Sequence, residues 1–212
     1  MKTLIIDCDG VLYPESLLPI SKMVLAIKKQ ANSIGIKEEE YKLTSKETKK
    51  RGEEGLFNFV LNLCHKNMNS YNDFCKEVCN ILDYSTIKRD DELYELLIKT
   101  GKKYEICILT NNCKDHLDKV YSRLFGKTVE EFPFPSYDIS FTFKNEIFHP
   151  KQSVDGFTNF IKKINKKNSE CIVIDDSQKN IQRCIENNIP YELISYNNTL
   201  DYQFFIKRIS LK

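Results

Sequence analysis

The feature that most constrains this chain is an interruption. A short apolar run ending in an acid, TLIID at residues 3 to 7, finds its next counterpart only at residues 104 to 110, YEICILT. Two further runs stand at 137 to 143 (YDISFTF) and 171 to 176 (CIVIDD). Runs of this length and apolarity suit strands of a parallel sheet buried on both faces. A parallel crossover needs only about a dozen residues, so the span between the first two runs must hold an inserted unit.

Between the later runs the apolar period is helical. DHLDKVYSRLF puts Leu117, Val120, Tyr121 and Leu124 on one face, and SVDGFTNFIKKI and QKNIQRCIENN follow the same period. Strand and helix alternate, which predicts a doubly wound, Rossmann-like α/β core. A last strand at 191 to 196 (YELISY) and a terminal helix at 201 to 209 (DYQFFIKRI) complete it.

The insertion reads as helical throughout. Leu17, Ile20, Val24 and Ile27 share one stripe, Leu56, Phe59, Val60 and Leu63 a second, and Phe74, Val78 and Leu82 a third. Ser70, with Asp73 in the first turn, is the expected N-cap of the third helix. The chain is therefore expected to divide into an α/β core, residues 1–14 and 90–212, and an all-helical cap, residues 15–89. The helix DDELYELLIKTG, stopped at Gly101, leads back into the core.

Composition narrows the classes. With 41% hydrophobic and 29% charged residues, the chain has the make-up of a globular protein, and 32 basic against 30 acidic side chains create no field that would draw nucleic acid or an anionic membrane. The mixed-sign stretch KEEEYKLTSKETKKR reads as a solvated helix face. Asp7 breaks the first apolar run too early for a secretory or membrane segment, so a cytoplasmic location is expected. The cysteines at 8, 64, 75, 79, 107, 113, 171 and 184 form no C-x-x-C pair and read as reduced, buried residues. Cys75 and Cys79 lie one helical turn apart and fit a core stripe with Tyr71, Phe74, Val78 and Leu82.

In open α/β sheets, ligands bind beyond the carboxyl ends of the strands. The polar residues collect there: Asp7 and Asp9 after the first run, Thr110 and Asn111 after the second, Asp175 and Asp176 after the fourth, with Lys151 before the helix leading into the fourth. Each has a bland reading. Asp7 and Asp9 suit a turn beside Asp-Gly, one acid of 175/176 suits a helix N-cap, and Thr110 suits the N-terminus of the next helix, which is itself a phosphate site. Together they favour one chemical site.

With these residues in view, the chain resembles the haloacid dehalogenase superfamily, whose four motifs match DCDGVLY, ILTNN, Lys151 and IDDSQKNI in order. Gln152 departs from the proline usual after that lysine, while Phe157 keeps the expected six-residue offset. The insertion corresponds to that superfamily's type 1 cap. DCDGVLYP, the glycines of RGEEG, TNN and IDDSQKNI look most like the pyrimidine 5'-nucleotidase-like branch.

The resemblance implies a phosphatase in which Asp7 is the nucleophile and Asp9 the general acid and base. Thr110, Asn111 and Lys151 would bind phosphate, while Asp7, the Asp9 carbonyl and Asp175 or Asp176 would hold a metal. The charge balance requires such an ion. At roughly 4 Å each like-charge contact costs about 4 kcal/mol at an effective dielectric near 20, and oxygen-only ligands with a phosphate favour Mg2+. The expected partner is a small phosphorylated metabolite, a nucleoside monophosphate first. Arg51, Glu53 and Glu54 either meet its leaving group or form a break between two cap helices.

Asp9 speaks against carbon–halogen cleavage, for which the resemblance implies no acid at that position. A sugar-phosphate phosphatase or phosphomutase is the alternative within the superfamily. A receiver domain would need its acidic pair after the first strand, its phosphoacceptor mid-chain and no helical insertion. A non-catalytic binding protein would not need the full acid set. The dispersed His65, His116 and His149 read as incidental, His149 lying nearest the site.

Overall fold

The computed structural model describes residues 1–194. The expected terminal helix at 201 to 209 and the end of the run at 191 to 196 lie outside the described residues. In chain order the strands are β1 (Thr3–Ile6), β2 (Glu105–Leu109), β3 (Ser136–Tyr137), β4 (Phe143–Lys144), β5 (Ile147–Phe148), β6 (Cys171–Asp175) and β7 (Tyr191–Leu193). The helices are α1 (Ile20–Ser33), α2 (Glu38–Lys50), α3 (Leu56–Leu63), α4 (Met68–Ile81), α5 (Asp91–Gly101), α6 (Lys114–Phe125), α7 (Gly156–Lys163) and α8 (Gln178–Glu186).

The main sheet is parallel, in the order β3-β2-β1-β6-β7. Alternation along the strands explains its two coats. Leu4, Ile6, Ile106 and Ile108 share a core with Leu93 and Leu97 of α5 and Leu117 and Val120 of α6. Ile5, Cys107, Leu109 and Val173 share another with Phe157 and Phe160 of α7 and Cys184 of α8. Each such side chain contributes about 1.5–3 kcal/mol by leaving water, so the sheet is held by both layers, which makes it doubly wound.

Strand order decides where a ligand can sit. The chain moves outward from β1 through β2 to β3, then returns to the other side of β1 as β6. Helices diverge at that reversal and leave a crevice at the carboxyl ends of β1, β2 and β6. Register then aligns the polar ends, since Ile6 pairs with both Ile108 and Ile174. Asp7, Leu109 and Asp175 therefore stand side by side, one residue further along.

The third run departs from expectation. A strand over 137 to 143 is not formed: β3 stops at Tyr137, a 3-10 turn covers Ile139–Thr142, and β4 and β5 make a separate antiparallel hairpin. The cause is local. The Asp138 carboxylate accepts the Ser140 N–H and captures the backbone donor into a turn. Asn145 and Glu146, both at positive φ (53° and 61°), then close the hairpin.

The insertion between β1 and α5 is helical, with two local differences. Pro19 precedes α1, whose buried face is Met23, Ala26, Ile27 and Ala31, so Ile20 and Val24 are 56% and 40% exposed instead of joining the core. The α4 cap is Asn67, whose side chain accepts the Ser70 N–H at 3.0 Å, so Ser70 lies inside the helix. The stripe Tyr71, Phe74, Cys75, Val78 and Cys79 is buried as expected. It packs α4 toward α6, where Cys79 Sγ lies 3.7 Å from Cys113 Sγ. All eight cysteines are free and buried.

Asn58 of α3 pins the insertion to the hairpin. Its Nδ2 donates to the Phe148 carbonyl at 2.9 Å, and its Oδ1 accepts the Phe148 N–H at 2.8 Å. On α2 only Thr48 is buried, and Glu38 pairs with Lys28 at 2.9 Å, as a solvated mixed-charge face requires. No helix among the described residues is long and apolar enough to cross a membrane.

Candidate active site

Strand ends bring three acids to one point. The carboxylates of Asp7, Asp175 and Asp176 offer oxygens that all lie within 4.8 Å of one another, and Asp7 and Asp175 are buried. Lys151, itself 3% exposed, reaches between them: its Nζ contacts Asp7 Oδ2 and lies 2.9 Å from Asp175 Oδ2. Asp175 is further fixed by Asn180 Nδ2 at 2.9 Å and the Ser177 N–H at 2.9 Å, both donating to Oδ1.

This pocket is short of positive charge. Burial raises the Asp7 pKa, with Lys151 opposing and Asp175 and Asp9 reinforcing the rise. Burial and the Asp175 charge push Asp176 up to about 6. Burial would lower Lys151, but Asp175 and Asp7 outweigh it and keep the ammonium charged. Three acids facing one ammonium suit a hard divalent cation, and an all-oxygen donor set fits Mg2+.

Asp9 belongs to a different arrangement. Its carboxylate is absent from the three-acid group and is surrounded by donors. Tyr13 Oη donates to Oδ1, and His116 Nε2 lies 2.7 Å from the same atom. Asn112 Nδ2 donates to Oδ2 at 2.6 Å and Thr110 Oγ1 does so at 3.2 Å. Burial would raise Asp9, but His116, Tyr13 and Asn112 overcome it and hold the carboxyl well below the usual range. His116 moves oppositely: burial would lower its pKa, yet the Asp9 carboxylate raises it.

Asn111 braces the lysine loop. Its Oδ1 accepts the Lys151 N–H at 2.9 Å, and its Nδ2 donates to Gln152 Oε1 at 2.9 Å. Asp7, Asp9, Thr110, Asn111, Lys151 and Asp176 all line one cavity of about 370 Å3.

A family model described as haloacid dehalogenase-like hydrolase matches residues 1–183, which span the whole of this constellation. The chain belongs to that family. No curated protein matches this haloacid dehalogenase-like hydrolase in sequence. Its fold is similar to that of CbbY from Rhodobacter sphaeroides in complex with xylulose-1,5-bisphosphate, at 10% identity and TM-score 0.58, covering 92% of this chain and 88% of that one. The HAD family enzyme bt-2542 from Bacteroides thetaiotaomicron, in complex with magnesium and inorganic phosphate, is similar at 19% identity and TM-score 0.53, covering 96% and 99%. A family IA, variant 3 HAD hydrolase from Entamoeba histolytica is similar at 19% identity and TM-score 0.52, covering 98% and 90%. At these identities the likeness is one of fold.

The three residues singled out in the insertion of this hydrolase go to different places. Glu53 is tied up locally, by Arg51 at 3.1 Å, Lys66 at 3.4 Å and Asn62 at 2.6 Å. Arg51 lines a separate hollow with Glu40, Asn62 and His65. Glu54 lines a cavity of about 290 Å3 that shares Ile20, Asn111 and Asn112 with the acid-lined one.

Sequence reasoning passed over Tyr13, Asn112, Asn180 and above all His116. The signal for Asn112 was adjacency to Thr110 and Asn111. His116 stands on the apolar face of α6 beside Leu117 and Val120, where a buried histidine reads as core. The other two histidines lie outside the cavity: His149 contacts Asp155 at 3.3 Å and His65 faces the hollow near Arg51.

Gly10 makes the acid cluster possible. It has φ +74°, and a Cβ there would lie 1.9 Å from Asp176 Oδ2. Gly10→Ala is therefore expected to displace the Asp176 carboxylate, with a backbone cost of about 1–3 kcal/mol. Titration calorimetry should show Mg2+ affinity reduced at least about tenfold, the equivalent of 1.4 kcal/mol, with the circular dichroism spectrum unchanged. Wild-type affinity would separate Asp176 from the metal site.

Proposed function

We propose that this chain is a Mg2+-dependent phosphatase that cleaves a small phosphomonoester through an aspartyl phosphate on Asp7. The observation carrying this reading is the meeting of buried Asp7 and Asp175 on Lys151, with half-buried Asp176 beside them, at the sheet's reversal point, and Asp9 two residues beyond the nucleophile. Magnesium would be held by Asp7, Asp175, Asp176 and the Asp9 carbonyl, and when bound it would neutralise negative charge on the phosphate and its acid neighbours. The magnesium and phosphate bound by bt-2542 support this choice of ion and ligand.

The protein's own residues carry the rest. A carboxylate oxygen of Asp7 bonds to phosphorus as the ester oxygen leaves, splitting one displacement into two. Lys151 and the Asn111 N–H offer donors to the phosphoryl oxygens, whose charge they stabilise in the transition state, and the Thr110 hydroxyl would join them by turning its hydrogen from Asp9 Oδ2, which keeps the Asn112 amide. Asp9 gives its proton to the leaving alkoxide. It then takes a proton from the water that attacks phosphorus, which frees phosphate and regenerates Asp7. An anionic phosphate beside Asp9 raises that carboxyl's affinity for the proton it must deliver.

Residues 15–89 act in this reading as a cap over the core of 1–14 and 90–212, and they select the ester. The cavity adjoining the acids is walled by Ile20, Leu56, Phe57, Ile139, Phe148 and Pro150, and no lysine or arginine lines it. Glu54 and Gln152 are among its polar groups. Apolar walls with one carboxylate and the amides of Asn58, Asn111, Asn112 and Gln152 suit the hydrogen-bonding edge of a nucleoside as leaving group, and we infer a 5'-nucleotidase-like preference. The second phosphate of a sugar bisphosphate would have to reach Lys49, Lys179 or Arg183 in the wider groove beyond.

Phosphate release from CMP, UMP, sugar monophosphates and sugar bisphosphates, with Mg2+ and with chelator, tests both levels. The expected result is metal-dependent turnover led by the nucleotides. Turnover that survives chelation would sink the mechanism, and nucleotides no better than sugar phosphates would sink the nucleotidase assignment alone.

A further inference from the structure

We propose that His116 is a positioning residue for Asp9, and that it is set in its turn by Tyr84; this rests on the phosphatase reading above. His116 lies in the first turn of α6 and is 1% exposed. One ring nitrogen, Nε2, is 2.7 Å from Asp9 Oδ1, and the other, Nδ1, is 3.0 Å from the Tyr84 hydroxyl. The Asp9 carboxylate accepts the Nε2 hydrogen, and the Tyr84 hydroxyl holds Nδ1 in either charge state, accepting from the imidazolium and donating to the neutral ring.

The arrangement restrains a side chain that is otherwise free to turn. Asp9 sits on a loop beyond β1, and its carboxylate has three staggered positions about χ1 and a broad range of orientations about χ2. Donors on both oxygens select one: His116 and Tyr13 on Oδ1, Asn112 and Thr110 on Oδ2. Stability alone gives little reason for such a set. Burying an imidazole and two phenols beneath a carboxylate gains less than packing apolar groups of the same volume. Orientation of the carboxylate is what the set provides.

The donors also come from meaningful places. Tyr13 belongs to the segment between β1 and α1, and Tyr84 to the segment between α4 and α5. These are the two crossings between sheet and insertion, and both tyrosines are buried, at 2% and 6% exposure. Asp9 is thus oriented from both crossings at once, through Tyr13 directly and through Tyr84 by way of His116.

The test compares His116→Leu, His116→Gln and Tyr84→Phe with wild type on an alkyl phosphate and on 4-nitrophenyl phosphate, each with Mg2+. His116→Leu is expected to lower kcat on the alkyl ester about 100-fold, the scale of a misplaced proton-transfer group, with KM and Mg2+ affinity within twofold of wild type. His116→Gln, whose amide can still donate to Asp9, should recover at least tenfold, and Tyr84→Phe should lose about fivefold. With the aryl ester, whose leaving group departs without a proton, the first-turnover burst of nitrophenolate should survive in His116→Leu while steady-state turnover slows. A crystal structure of His116→Leu should show Asp9 in more than one rotamer.

Wild-type kcat in His116→Leu would overturn the proposal. So would a loss that glutamine does not recover, or one that falls equally on KM and Mg2+ affinity. Absence of turnover in the wild type would instead overturn the phosphatase reading, and the Asp9 rotamer in the variant crystal would still decide the positioning role.

Discussion

Asp7→Asn is expected to abolish phosphate release while leaving the metal-free protein at least as resistant to heat. The amide keeps the shape of the carboxylate but is no nucleophile at phosphorus, and losing a group that acts only in the chemical step lowers kcat by about 10^4-fold or more. The stability effect has the opposite sign because of where Asp7 sits. Its charge is buried, opposed by burial itself and repelled by Asp175 and Asp9, with Lys151 as its favourable charged partner and the Cys8 N–H donating to Oδ1 at 2.6 Å, a bond an amide oxygen can also accept. Lys151 keeps its bond to Asp175 at 2.9 Å when Asp7 is neutral. A thermal melt in chelator, beside a phosphate-release assay, reads both quantities. Activity within tenfold of wild type would remove Asp7 as nucleophile. A melting point several degrees lower would mean that its contact with Lys151 outweighs the burial of its charge.

Lys151→Met moves stability the other way. The thioether fills a similar volume, but Asp7 and Asp175 lose the ammonium that, among the described residues, pairs with both. Breaking a buried pair from one side costs about 3–5 kcal/mol, because the remaining charge is left uncompensated. At roughly 2–4 °C per kcal/mol for a chain of this size, the metal-free melting point should fall by about 10 °C. Added Mg2+ should restore part of the loss, since an ion that binds only the native state stabilises it by mass action. Turnover should drop about 10^2- to 10^3-fold even with metal, because a donor to the phosphoryl oxygens is gone. Calorimetric scans with and without Mg2+ test this, and an unchanged melting point in chelator would mean that the acids are neutral without their partner.

Much of the fold could be read from the chain because its signals are local. The runs at 3 to 7, 104 to 110 and 171 to 176 contain strands, and the helices between them follow the expected apolar faces. The run at 137 to 143 misled because its period matches a strand, while a single side-chain bond from Asp138 to the Ser140 N–H bends the backbone away. α1 misled for a related reason. Two apolar faces compete there, and the one bearing Ile20 and Val24 is left to the cleft.

The candidate site divides along the same line. Asp7, Asp9, Thr110, Asn111, Asp175 and Asp176 were visible as polar residues after apolar strands, a pattern that needs no knowledge of strand order. Lys151 follows no apolar run and was visible through its place before the helix leading into the fourth run and through the motif order, with Phe157 six residues on. His116 was not visible, because its partner Asp9 is 107 positions away and its helix face reads as core.

The sequence by itself determined the alternation of buried strands and amphipathic helices, the place of the insertion and the supply of acids at strand ends. These follow from side-chain period and backbone chemistry within a few residues. Only the tertiary structure decided which acids share Lys151 and which one faces His116. That division depends on β1 lying between β2 and β6, and on α6 turning its first residues beneath the loop of Asp9. Such neighbours are set by how whole elements bury their faces against each other, and no local period encodes them.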